Sequence, residues 1–360
     1  MNFNKIILAF LGLGTANLMM AQENSNPLKI SAYAEVYAQY DANNPESNTR
    51  PDFVYSLNRN NEVSVNLALV NFNYETQRVR ANLGVGFGSY MNANYAAEKG
   101  VLKNIYEANV GVKLAENSDL WLDAGVLPSH IGSESAVGMD CPTLSRSIMA
   151  ENSPYFETGV RLSYNSPNGQ WYLAALALNG WQHIERPDGN TTPAFGYQVT
   201  YTPNEKFSIN ASSFVGNEMP DTEKKMRYFH DLYATLNVSP RVSFVGTFDI
   251  GAQQKIQNNS DYSTWYGASL IGQFGVSEKT RLALRGEYYN DKDGVMIASG
   301  TTNGFKTFGV SANVDYQILP NLVWRTEVKN LSSKNEIFAK RDGKTSDNSL
   351  SLLTSLSVKF

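Results

Sequence analysis

The side chains best suited to catalysis or metal binding are few. His130, His183 and His230 are the only histidines and Cys141 the only cysteine. No histidine has a second histidine or a carboxylate at ligand spacing. Ser129 stands next to His130, and adjacency in sequence does not make a triad. Asp291, Asp293 and Gly294 distantly resemble a calcium loop but lack its later bidentate glutamate, so they read as a plain turn. The expectation is no enzyme, no catalytic residue, no cofactor and no metal.

Charge placed in a two-residue period is more informative. Arg78, Arg80, Glu107, Lys113, Glu157, Arg161, Asp249, Arg281, Arg285, Glu287, Asp315, Arg325, Glu327 and Lys329 all fall opposite an apolar neighbour. In a dry core so many charges would be prohibitive, whereas in a water-filled interior they are tolerated. Arg78, Arg80, Arg161, Arg285, Arg325, Glu287 and Glu327 are the candidates to line such an interior. A second group, Glu134, Asp140, Arg146 and Glu151, sits in the stretch PSHIGSESAVGMDCPTLSRSIMAENS, residues 128–153. That link is too long for an ordinary connection. It also carries Ile131, Val137, Met139, Leu144, Ile148 and Met149, which need cover. It is expected to fold inward as a constriction loop, with Pro142 opening a short helix that sets Leu144 against Ile148.

The elements that would hold these residues are strands. Period-two runs recur from Leu28 to Phe360 and no stretch sustains a helical period, which gives about 16 strands. Links after the even strands are tight: YETQ, AENSD, SPNGQ, TPNEK, VSPR, VSEK and ILPN. The other eight, among them DANNPESNTRPDFVYSLNRN and NDKDGVMIASGTTNG, are longer and polar. This alternation predicts an all-β transmembrane antiparallel up-and-down barrel with short turns at one end and long loops at the other. A barrel of that size has room for an aqueous channel.

Such a barrel explains the final segment, SLSLLTSLSVKF. Leu350, Leu352, Leu356 and Val358 lie on one face and Ser349, Ser351, Ser355 and Ser357 on the other. In a closed wall the apolar face meets lipid and no unpaired edge is left. Aromatic residues near strand ends, including Tyr40, Tyr90, Tyr164, Tyr201, Phe207, Phe274 and Tyr316, are expected to form girdles at the membrane interfaces. Phe360 in the last strand reads as an assembly signal for the barrel-insertion machinery.

Composition agrees. Charged residues make up 18% and aromatic residues 12%, and a mean hydropathy of -0.34 is too polar for a bundle of membrane helices. Residues 1–21, with Lys5 before an apolar run and Ala21 at the cut, read as a secretory signal peptide, leaving 22–360 as one barrel. Removing Lys5 changes the formal charge from -4 to -5, since -4 minus +1 is -5. No basic block appears, so no nucleic-acid partner is expected. One cysteine cannot form an internal disulfide.

The stretch DAGVLPSHIGSESAVGMDCPTLSRSIMAENSPYFETGVRLSY, from Asp123 to Tyr164, resembles the OmpL-like outer-membrane β-barrel porins. The resemblance extends over nearly the whole chain after the leader. It implies passive diffusion of small hydrophilic solutes and brings no catalytic residues. The expected setting is the outer membrane of a Gram-negative bacterium, with both termini periplasmic. Expected partners are outer-membrane lipid and lipopolysaccharide, the barrel-assembly machinery and small solutes or ions; a homotrimer and a monomer are both open. The competing readings are a plugged barrel serving as an adhesin or anchor, and a barrel enzyme acting on lipid. The enzyme needs His and Ser together on an outward strand, and no single strand offers them.

Overall fold

A computed structural model describes residues 26–360. The proposed signal peptide, residues 1–21, lies outside the described residues. Sixteen antiparallel strands close into one barrel. In chain order they are β1 (Leu28–Asp41), β2 (Val63–Glu75), β3 (Val79–Phe87), β4 (Ile105–Lys113), β5 (Asp119–Pro128), β6 (Phe156–Asn165), β7 (Trp171–Leu178) and β8 (Ala194–Asn204). They continue as β9 (Phe207–Asn217), β10 (Met226–Ser239), β11 (Val242–Gln254), β12 (Tyr262–Gly275), β13 (Thr280–Asp291), β14 (Phe305–Leu319), β15 (Leu322–Ser333) and β18 (Asn348–Lys359). Two short strands, β16 (Phe338–Ala339) and β17 (Thr345–Ser346), make a separate hairpin inside the last long link.

Each barrel strand pairs with its sequence neighbours, and the seam joins β1 to β18. There Val36 lies opposite Leu356 and Tyr40 opposite Leu352. Phe360 finishes the seam by exchanging two backbone hydrogen bonds with Ala32, at 2.6 and 2.9 Å. No strand edge is left to seek a partner in lipid.

Residue types determine which face points where. Leu350, Leu352 and Leu356 of β18 are exposed on the outside, while Ser349, Ser351, Ser355 and Ser357 are buried inside. β14 repeats the pattern, with Phe308, Val310, Val314 and Tyr316 outward and Thr307, Ser311 and Asn313 inward. A residue with a period of two can present only one face to lipid, so the apolar set goes there. Aromatic rings on the outer surface include Tyr40, Tyr316, Trp324, Tyr228 and Tyr266. Tyr90 is a correction to the expected girdle. It begins the inward helix α1 (Ser89–Asn94), is fully buried, and packs edge-on against Tyr155 at 5.6 Å. Its strand ends at Phe87, so the ring turns into the barrel instead of standing at its rim.

The links alternate as the sequence predicts: 76–78, 114–118, 166–170, 205–206, 240–241, 276–279 and 320–321 at one end, and the longer ones at the other. Three of the longer links, 42–62, 88–104 and 129–155, enter the barrel and carry much of its interior packing.

Candidate functional site: a loop latched across the barrel

The link 129–155 leaves β5 and returns to β6, yet its middle hydrogen-bonds to β13, β14 and β15. In a ring of sixteen, β13 stands diametrically opposite β5. The loop therefore crosses the lumen. Ile131, Val137, Leu144, Ile148 and Met149 all become buried, each worth about 1.5 to 3 kcal/mol relative to exposure in water. Wall glycine makes room for one of them: a Cβ on Gly267 of β12 would stand 2.6 Å from Met149 Cγ.

The helix in this loop starts later than the sequence suggests. α2 covers Ile148–Glu151, and the Ser147 hydroxyl caps it by accepting the Ala150 N–H at 3.2 Å. Leu144 lies outside the helix and packs with Tyr37, Leu57 and Leu353, whereas Ile148 joins a different cluster with Met149, Phe53 and Trp265. Serine is a better N-cap than proline is an initiator here, because its oxygen satisfies an otherwise orphaned N–H.

On the near side the loop is tied by His130. Its Nδ1 lies 2.6 Å from Glu157 Oε2 and its Nε2 2.7 Å from the Ser213 carbonyl oxygen. The Ser213 carbonyl only accepts, so Nε2 carries a proton; burial lowers the affinity of the ring for a second one, but the adjacent Glu157 raises its pKa overall. Further along, the Gly132 N–H reaches Asp231 Oδ1 at 3.2 Å and the Ser133 hydroxyl meets that of Thr247 at 2.9 Å.

On the far side the wall charges hold loop backbone. Arg285 donates to Thr143 Oγ1 at 2.9 Å, to the Ser145 carbonyl at 2.7 Å and to Ser145 Oγ at 2.7 Å. The same guanidinium pairs with Glu327 at 3.1 Å and lies 3.6 Å from Glu287 and 3.9 Å from Glu134. Glu327 accepts the Ser145 N–H and hydroxyl, and Glu287 accepts the Ile148 N–H at 2.6 Å. Arg325 donates to the carbonyls of Gly138 and Cys141 at 2.6 and 3.0 Å while pairing with Asp315 at 2.7 Å. Lys329 bridges the Arg146 carbonyl and Glu287, both at 2.9 Å.

The candidate residues thus divide. Arg285, Arg325, Glu287 and Glu327 were expected to line open water. They are buried, because the loop lies over them and its polar backbone consumes their hydrogen-bonding capacity. Arg80 and Arg161 do keep access to the lumen, their side chains 25% and 19% exposed, and both hold the buried Asp123, at 2.5 and 3.3 Å. Arg80 also lies 4.4 Å over the Trp121 ring. Arg78 stands at the short-turn rim, highly exposed, paired with Glu116 at 3.1 Å.

Of the loop's own charges, Glu134 lies 3.9 Å from Arg285 of the far wall and also accepts the Ser147 N–H at 3.0 Å. Asp140 pairs with Lys359. Arg146 turns back to the loop's carbonyls at Ser135, Leu144 and Ala136, so it braces the loop internally. Glu151 accepts the N–H groups of Tyr55 and Ser56, each at 3.0 Å, tying the first long link onto α2. Burial pushes its carboxyl up to about 7, against the pull of those two N–H groups and of Arg146 and Lys329. The part played by residues 42–62 carries no sequence signal beyond the length of the link and a few apolar residues.

The remaining motifs have structural explanations. Asp291 accepts the N–H groups of Val295, Met296 and Ile297, so the calcium-like segment is a turn organised by one carboxylate. Cys141 is buried, its thiol bonded to the Ser135 carbonyl at 3.3 Å. His230 does face outward, with Ser213 as its cross-strand partner on β9 and Tyr197 on the next strand. Among the described residues, no hydrogen bond joins His230 to the Ser213 hydroxyl and no group of His, Cys, Asp and Glu has metal-site geometry.

Known proteins share this architecture. An anion-selective porin from Comamonas acidovorans superposes with a TM-score of 0.60 at 9% identity, covering 92% of this chain and 99% of that one. The trimer form of OmpT, an outer membrane protein of Vibrio cholerae, gives 0.56 at 11% identity over 92% of this chain and 99% of that one. At such identities the likeness shows the fold alone. "Probable outer membrane protein PmpI" of Chlamydia trachomatis is 26% identical over 195 residues, which is 46% of this chain but only 22% of that protein's length. Residues 27–360 match the family described as "Putative beta-barrel porin-2, OmpL-like", and with a closed sixteen-strand wall and a charged interior the chain belongs to that family of outer-membrane porins.

Proposed function

We propose that this porin is a narrow diffusion pore for small hydrophilic solutes, with residues 128–153 as its constriction. The observation that carries this reading is the crossing of the lumen by that loop, latched to the far wall by Arg285, Arg325 and Lys329. A wide barrel without it would pass solutes indiscriminately; a loop tied across it leaves passage only alongside. Interior positions beside the loop keep contact with water: Gln198, Thr200, Tyr233 and Thr235 are part-exposed on the inner wall. Polar lining at these positions replaces part of a solute's hydration.

In this reading both termini are periplasmic, since the short turns lie at their end of the barrel. Lipid and lipopolysaccharide cover the exposed apolar belt. Phe360 serves the assembly machinery, and three copies associate as in the trimeric Vibrio cholerae neighbour. The reading of a plugged anchor is separated from a pore by flux. Proteoliposomes holding the folded chain are expected to swell in arabinose and to swell more slowly as sugar size increases. Swelling no faster than that of protein-free liposomes would favour the anchor.

A further inference from the structure

At the end of the barrel that carries the long links lies a cavity of about 470 Å³, walled by residues from 42–62, from the β13–β14 link and from the β16–β17 hairpin. That volume suits a small organic molecule. Phe53, Phe305 and Phe338 form its apolar side, with Phe53 edge-on to Phe305 at 4.8 Å and 6.4 Å from Phe338. Ile297 and Met296 extend that side.

The polar side is centred on Arg50. Its side chain is 2% exposed, and its sealed Nε and Nη1 groups have no hydrogen-bond partner. Asp41 is the carboxylate beside it, but Arg50 Nη1 to Asp41 Oδ2 is 3.9 Å, too long for a hydrogen bond. Asp41 is already engaged: it accepts the Asn43 N–H and the Ser349 hydroxyl, each at 2.9 Å. Asp52 is exposed on the rim, where water screens it. A guanidinium is always charged, and one buried with two donors idle is costly to maintain. Arg146 and Arg325, by contrast, spend their donors on carbonyls and a carboxylate. Arg50 is held in place by its backbone, whose N–H bonds the Asn58 carbonyl, and by the bridge of Thr49 to Arg59. Burial pulls its guanidinium below the usual range, with the Asp41, Glu151 and Glu327 carboxylates opposing.

We propose that this cavity binds a carboxylate carried on an apolar or aromatic body. The carboxylate pairs from the cavity side with the Arg50 guanidinium, which Asp41 approaches only to 3.9 Å. The body lies against Phe53, Phe305 and Phe338. The site stands at the outer mouth, ahead of the loop, and the proposal goes beyond the pore reading without depending on it.

The test uses the full chain folded in detergent and isothermal titration calorimetry with 3-phenylpropionate, its neutral analogue 3-phenyl-1-propanol serving as the comparator. Saturable binding of one carboxylate per chain is expected, with the alcohol roughly tenfold weaker or more, the scale of one charge-assisted contact. Arg50→Gln should erase that preference. Ala339→Trp, a change at an exposed hairpin position on the cavity wall, should weaken both ligands while leaving the guanidinium intact. Absence of saturable 3-phenylpropionate binding by the heat-modifiable parent overturns the proposal. So does unchanged affinity in Arg50→Gln, or, where that variant does not fold, unchanged affinity in Ala339→Trp.

Discussion

Replacing Arg285 with glutamine should release the loop from the far wall. The guanidinium makes three hydrogen bonds to Thr143 and Ser145 and faces Glu327, Glu287 and Glu134. Without it Glu287 keeps Lys329 at 2.9 Å, while Glu327 and Glu134 lose the ion-pair partner they share. Breaking a buried pair in this way costs about 3 to 5 kcal/mol, because the remaining charge is left uncompensated. Each 1.4 kcal/mol is tenfold, so the undocked population should rise by roughly two to four powers of ten. Trypsin reads that population at Arg146, which is 1% exposed and sealed inside while the loop is docked. When opening is fast compared with cleavage, the cleavage rate follows the open fraction. Cleavage after Arg146 should accelerate on that scale while the sixteen-strand barrel keeps its heat-modifiable band. An Arg285→Gln barrel cleaved at the parental rate would show that Arg285 does not hold the loop.

Other consequences follow from the same contacts. Glu151 has a folded carboxyl pKa raised from 4.5 to about 7, so the folded chain binds its proton more tightly than the unfolded chain does. Stability from this group is present below about pH 4.5 and declines as pH rises towards 7, by at most roughly 3 kcal/mol. Glu151→Gln should remove that dependence, and the temperature of the band shift at pH 5 and pH 8 would show it; an equal pH response in both proteins contradicts the assignment. Arg80→Gln with Arg161→Gln removes two part-exposed lumen cations and leaves Asp123, so reversal potentials should move toward cation preference. An unmoved reversal potential would place the selective charges elsewhere. Deleting Phe360 removes two backbone bonds at the seam, and the amount of folded barrel in the outer membrane should fall several-fold, measured by heat-modifiable band intensity. Parental levels would mean that neither seam nor signal needs it.

Much of the wall is readable in the sequence because the constraint there is local. Leu350 and Ser351 must face opposite sides of one strand, and the tight links at Thr202 and Val238 can only be turns. Leu353 breaks the serine side of β18, and the structure shows why: it is buried inside against Leu144 of the crossing loop and Leu57 of the first long link. Read as a signal, that one apolar residue on a polar face marks where the loop lands. The fate of Arg285 and Arg325 was not legible, since period two distinguishes inside from outside but not wet from covered. Covering depends on a loop that comes from the opposite side of the ring. Tyr90 failed for a related reason, its strand ending at Phe87 and a helix beginning where the apolar alternation seemed to continue. The dependence of Glu151 on Tyr55 and Ser56 joins two links separated by four strands, and no spacing in the sequence records it.

Single-channel recording in planar bilayers, on the parent and on a chain shortened between Gly132 and Ala150, tests the central claim most directly. The parent should give discrete, small conductance steps, and the shortened barrel should give larger ones, because the loop that crosses from β5 to β13–β15 is then gone. Steps of equal size in two proteins that both insert as heat-modifiable barrels would contradict the account and place the constriction elsewhere.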